Sequence, residues 1–80
     1  SLMVGGLNLM KYDTIPDGME SLTRIRYKDK GCLSNLYPEG DQVRVQFHEP
    51  VKSIAPGQSA VFYEGADVVG GGIIRRKQNV

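Results

Sequence analysis

Between Gln42 and His48 the chain alternates strictly: Val43, Val45 and Phe47 fall on one side, Gln42, Arg44, Gln46 and His48 on the other. Successive side chains of a β-strand point to opposite faces, so a period of two predicts a strand with one face buried and one wet. The same alternation runs from Ser21 to Lys28, where Thr23, Ile25 and Tyr27 oppose Leu22, Arg24, Arg26 and Lys28. Ser59–Tyr63 is β-branched and aromatic, with Ala60 and Phe62 against Val61 and Tyr63, which predicts a third strand covered on both faces. Weaker strand signals lie at Leu7–Tyr12, Cys32–Tyr37, Val51–Ile54 and Val68–Ile74. No window of about ten residues or more carries a helical period.

Turn formers punctuate these runs. Pro16-Asp17-Gly18, Pro38-Glu39-Gly40-Asp41, Ala55-Pro56-Gly57-Gln58 and Glu64-Gly65-Ala66-Asp67 each stand between apolar stretches. Proline presets the second turn position and glycine tolerates positive φ at the third, so Ala55–Gln58 reads as a type II turn, and a hairpin is expected there. About six or seven short strands at such spacing predict an all-β fold, a small antiparallel β-barrel, because closure removes the exposed edges that an open sheet would leave. Gly70, Gly71 and Gly72 suit a bulge or corner in that barrel; close approach of the backbone to an RNA phosphate is the rival reading.

Eighty residues make one domain, taken as 1–80, with a thin core. At 40% apolar and 24% charged residues the chain has the composition of a folded domain, not of a disordered or collagen-like one. No apolar run approaches a membrane span, no signal-peptide pattern is present, and one cysteine excludes an internal disulfide framework; a cytoplasmic setting is expected. Ser1-Leu2 precede the first methionine and read as a cloning remnant outside the fold.

Basic residues are the direct pointer to a partner. Arg24, Arg26 and Lys28 share a face at spacings of about 7 Å, twice the strand rise, and form a row able to follow a phosphate backbone. Lys30 extends it, and residues 75–80, with Arg75, Arg76 and Lys77, read as a flexible basic tail. The net charge of +1 falls short of the excess expected of an autonomous nucleic-acid binder, so RNA contact is expected to be auxiliary. A solvated outer face is the bland alternative. Of the tyrosines, Tyr12, Tyr27, Tyr37 and Tyr63 could stack on bases. Tyr27 and Tyr63 fall on the presumed inner faces and read as structural, and Tyr37, beside Pro38, as the exposed one. His48 has no second histidine or cysteine cluster with which to build a metal site, and Cys32 reads as a small hydrophobe. No catalytic, metal or cofactor-binding residue is assigned.

Four motifs in order, RIRY at Arg24–Tyr27, VRVQFHEP at Val43–Pro50, APGQSAVFY at Ala55–Tyr63 and GGGII at Gly70–Ile74, resemble the carboxy-terminal segment of the tRNA-specific 2-thiouridylases. These ATP-dependent enzymes replace oxygen by sulfur on the wobble uridine of certain tRNAs. The resemblance implies a translation-factor-like β-barrel serving as an accessory tRNA-binding or tRNA-orienting domain. It implies tRNA, the amino-terminal catalytic and central domains of the same protein, and a sulfur-donor protein acting on the catalytic domain as partners. That family carries its ATP loop and its pair of cysteines in the amino-terminal domain, and this chain has neither; catalysis and ATP belong to the parent protein. The alternatives are a purely structural domain packed on the catalytic domain through Val61 and Phe62, and a barrel of an unrelated ribosomal or GTPase protein.

Overall fold

The computed structural model describes residues 1–25, 31–49, 51 and 54–77, the last by its backbone alone. Among these its elements are six strands: β1 (Leu2–Leu9), β2 (Met19–Ile25), β3 (Cys32–Glu39), β4 (Gln42–Phe47), β5 (Ser59–Glu64) and β6 (Asp67–Lys77). Every strand is antiparallel to both neighbours, and the order β1, β4, β3, β2, β5, β6 returns to β1. The expected small antiparallel barrel is the fold observed.

Alternation decides what fills it. Val43 and Val45 of β4, Ala60 and Phe62 of β5, Ile25 of β2 and Leu36 of β3 point inward with Leu2, Val4, Val69 and Ile74 from the seam strands. Phe62 is the largest fully buried side chain, and the small residues across from it leave it room. Ile15, in the connection from β1 to β2, joins the core. The interior also holds three hydroxyls. Ser34 donates to the Ser21 carbonyl at 3.3 Å, so the 2.7 Å bond between Ser34 and Thr23 takes its proton from Thr23. Ser21 completes the chain by donating to Thr23 at 3.4 Å. Each buried hydroxyl is thereby partnered, which removes the penalty of desolvating it alone.

Two tight loops follow the turn signals. Gly40-Asp41 joins β3 to β4, and Gly65-Ala66 joins β5 to β6. In each the glycine opens a two-residue hairpin loop at positive φ, 65° and 61°. Gly57, at φ 95°, occupies the third place of the Ala55–Gln58 turn as a type II turn requires.

Several expectations are corrected. The Ala55–Gln58 turn forms but joins no hairpin, because β5 lies between β2 and β6. It grips β6 instead: Gly57 N–H donates to the Ile74 carbonyl and Ile74 N–H to the Gln58 carbonyl, both at 2.8 Å. Val51 and Ile54 are not in a strand, and the rest of that expected strand, Lys52 and Ser53, lies outside the described residues. The first strand starts at Leu2, not Leu7. Leu2 is 1% exposed and pairs with Val45 and Lys77, so it belongs to the core and not outside the fold. At the other end, residues 75–77 are not a tail: they complete β6, with Arg76 opposite Met3 and Lys77 opposite Leu2. Pairing with β1 supplies the hydrogen bonds that hold them. Tyr63 faces outward, not inward, because the inward phase of β5 belongs to Ala60 and Phe62.

The glycine triplet is a bend. Val69 and Ile74 are both buried although their spacing is odd and would put them on opposite faces of a regular strand, so β6 must slip by one between them. Register shifts on both flanks of the triplet record that slip. An added Cβ would stand 2.6 Å from the Asn8 carbonyl oxygen at Gly70, 2.6 Å from that of Ala60 at Gly71, and against that of Gly5 at Gly72. Neighbouring backbone leaves no room for a side chain.

Candidate nucleic-acid interface

Because neighbouring strands alternate in direction, the starts of β1, β3 and β5 share one rim of the barrel with the ends of β2, β4 and β6. The hairpin loops and the β1–β2 connection occupy the opposite rim. The charges sort accordingly. Arg24 near the end of β2, and Arg75, Arg76 and residue Lys77 at the end of β6, belong to the first rim, with Glu49 just past β4. Asp13, Asp17, Glu39, Asp41, Glu64 and Asp67 belong to the second. A net charge of +1 therefore conceals a barrel with a cationic end and an acidic end.

The cations at the two ends are held differently. At the acidic rim Lys11 sits 2.8 Å from Glu64 and 2.9 Å from Asp67, and Arg44 lies 2.8 Å from Glu39. Arg44 also covers the ring of Tyr37, directly opposite on β3, at 4.5 Å. Tyr12 donates to the same Glu64 oxygen at 2.6 Å. The two bonds from Lys11 and Tyr12 hold the Glu64 carboxyl below its ordinary value, while the bond to Glu64 raises both partners. These cations are neutralised in place.

At the cationic rim, among the described residues, no carboxylate lies within ion-pair distance of Arg24, Arg75 or Arg76, and all three are exposed. Arg24 rests over the outward ring of Tyr63 at 5.2 Å, which orients the guanidinium without cancelling its charge. Arg75 is the extra residue between the pairs Val4–Ile74 and Met3–Arg76. Its side chain runs across Gly5 and Gly6, where an added Cβ would stand 2.6 Å from Nε and 3.2 Å from Nη2. Only glycine there lets the arginine lie flat on the strand.

Of the row expected along one strand, Arg24 alone is described; Arg26, Lys28, Lys30 and Tyr27 lie outside the described residues. Arg75 and Arg76 join Arg24 at the same rim through the topology, although they are distant in sequence. Tyr37 is half-buried in β3 under Arg44 rather than exposed in a turn. Phe62 is wholly interior and is not available to a partner, whereas Val61 is half-buried on the outer face. His48 is tied down: Asn35 donates to the Gly18 carbonyl at 3.0 Å, which turns Oδ1 toward His48, so His48 donates from Nε2 at 2.8 Å. That bond joins β3 to the residue following β4 and serves the fold.

Sequence reasoning missed the separation of charge. The signal was present around the connections: in an all-antiparallel barrel every second connection reaches the same rim, and acids lie in or directly flank the first (Asp13, Asp17), the third (Glu39, Asp41) and the fifth (Glu64, Asp67).

The chain matches the family model described as the aminomethyltransferase beta-barrel domain over residues 1–74. It is 49% identical over 75 residues to a tRNA-specific 2-thiouridylase of Cytophaga hutchinsonii, covering 92% of this chain and 20% of that protein. A tRNA-specific 2-thiouridylase of Amoebophilus asiaticus is 45% identical over 75 residues, again 92% of this chain and 20% of that protein. One from Clostridium acetobutylicum is 42% identical over 69 residues, 85% of this chain and 19% of that protein. The chain thus spans about a fifth of the length of these curated relatives.

Proposed function

Since the chain belongs to the aminomethyltransferase β-barrel domain family, as the carboxy-terminal barrel of tRNA-specific 2-thiouridylases, we propose that it orients tRNA through its cationic rim while the rest of a longer protein performs the thiolation. The observation that carries this reading is the segregation of charge among the described residues: Arg24, Arg75 and Arg76 without a carboxylate partner at one end, carboxylates concentrated at the other. Phosphates are drawn to the first end and repelled by the second, so the barrel presents one orientation to a folded RNA. ATP, sulfur transfer and the choice of uridine fall to the amino-terminal and central domains of that parent, working with a sulfur donor in the cytoplasm. The barrel supplies grip and direction.

Measuring tRNA affinity against salt in the full-length enzyme tests this. Arg24→Glu with Arg76→Glu should weaken binding and lower the magnitude of the salt slope by about 1 to 2, because each phosphate contact contributes roughly one released counterion. Asp17→Lys with Asp41→Lys at the far rim should leave binding no weaker. An unchanged slope in the arginine variant refutes the reading.

A further inference from the structure

The outer face of the barrel carries an apolar band that the RNA reading does not use. Directly opposed residues of neighbouring strands share a face, and the register aligns Leu33 of β3 with Leu22 of β2, Leu22 with Tyr63 of β5, and Tyr63 with Val68 of β6. Beyond Val68 stands Met10, whose N–H donates to the Val69 carbonyl at 2.8 Å. Met10, Leu33 and Val68 are 70%, 51% and 39% exposed, and they are the large apolar side chains left exposed among the described residues. All three lie along this one side. The band opens onto a shallow groove of about 330 Å³, floored by Gly70, Gly71 and Gly72 and walled by Val61, Val68 and Ile73. With no side chains on its floor, that groove admits a partner close to the backbone.

We propose that this band is the seat of the upstream region of the same polypeptide; the inference rests on the reading of the chain as one domain of a longer thiouridylase. Relatives for which this chain represents about 20% of the length have four-fifths of their polypeptide outside such a barrel. A free partner needs roughly 800 Å² on each side for a stable complex. That is a large share of the 4970 Å² this barrel exposes in all, and the band is a single cross-strand row. A tethered domain is held at an effective concentration in the millimolar range, so a contact of this size suffices for it. RNA is disfavoured here because, among the described residues, the cations at the margins of the band are already engaged: Arg24 lies over Tyr63, and Lys11, beside Met10, is paired with Glu64 and Asp67. A closed barrel also has no strand edge left to pair with a second copy.

The experiment is hydroxyl-radical footprinting of the full-length enzyme without tRNA, reading oxidation at Met10, Leu33 and Val68 against the exposed Pro56 in the same sample. Protection of the three sites by at least fivefold relative to their intrinsic reactivities, unchanged on tenfold dilution, is expected. Leu33→Asp with Val68→Asp, both outward-facing and outside the core, should restore oxidation at Met10. Oxidation at free-surface rates in the wild type overturns the inference. So does protection that vanishes on dilution, which indicates a second copy, or that appears only when tRNA is added. Binding of tRNA by the same preparation is scored separately: its failure removes the proposed function, while the footprint alone decides the docking face.

Discussion

Glu64 takes bonds from Lys11 and Tyr12 on one oxygen, and so it fastens the segment after β1 to the hairpin between β5 and β6. Its depressed carboxyl value means that its contribution is complete above the ordinary 4.5 and fades as pH falls through the lower folded value. Lys11 and Tyr12 have raised values, so theirs is complete below the ordinary 10.5 and 10.0 and fades as pH climbs through the folded values. The cluster therefore operates across the neutral range and fails at either extreme. Denaturant midpoints of wild type and Glu64→Gln, followed with pH, should be separated at neutrality and converge below pH 4.5. A gap that persists to lower pH would show that the carboxylate charge is not what matters. None of these pairings is legible in the sequence, because Lys11 and Glu64 meet only when the first and fifth strands have been placed by closure.

Glycine does two different jobs in β6 and in the loops, and substitution separates them. Gly65 has open space around its Cβ position and a φ of 61°, so alanine there strains the backbone alone, at about 1 to 2 kcal/mol. A Cβ added at Gly71 would stand 2.6 Å from the Ala60 carbonyl oxygen, and alanine there must push two strands apart. Gly71→Ala should therefore cost more than Gly65→Ala, at about 2 to 3 kcal/mol or beyond, read from urea midpoints. An equal or smaller cost would mean that the bend can relax. At this scale β4 is the most legible element, since Val43 and Val45 alternate with polar residues against a single core. β1 is the least, because Gly5 and Gly6 break its pattern and Met3 is buried from the outer side between Arg44 and Arg76. The bend at Gly70–Gly72 is legible because triplet glycine inside a strand has few other uses. Its partner, the Arg75 side chain laid over Gly5, is not.

The whole molecule depends on one seam. β1 and β6 close the barrel, and residues 75–77 supply the last of that pairing. Truncation after Ile74 uncovers Leu2 and Met3, which are 1% and 3% exposed, and full exposure of such side chains costs about 1.5 to 3 kcal/mol each. A fall in Tm of more than about 10 °C is expected for a domain of this size, and a negligible fall would return residues 75–77 to the status of a tail. The barrel itself is legible from the number of short strands and their turns, whereas the strand order is not: β1 beside β4 and β2 beside β5 follow from how the core fills, which no local pattern encodes. The candidate site suffers most from this. Arg24 and Arg76 are far apart along the chain, and only the completed ring brings them to one end. That ring also has a consequence in the cell. While the nascent chain is being made, Leu2 and Val4 emerge ahead of the rest of the barrel and wait with their apolar sides uncovered until residue 77 has left the exit tunnel. The barrel therefore cannot close before that point, and during that interval a holding chaperone is the natural cover for its first strand.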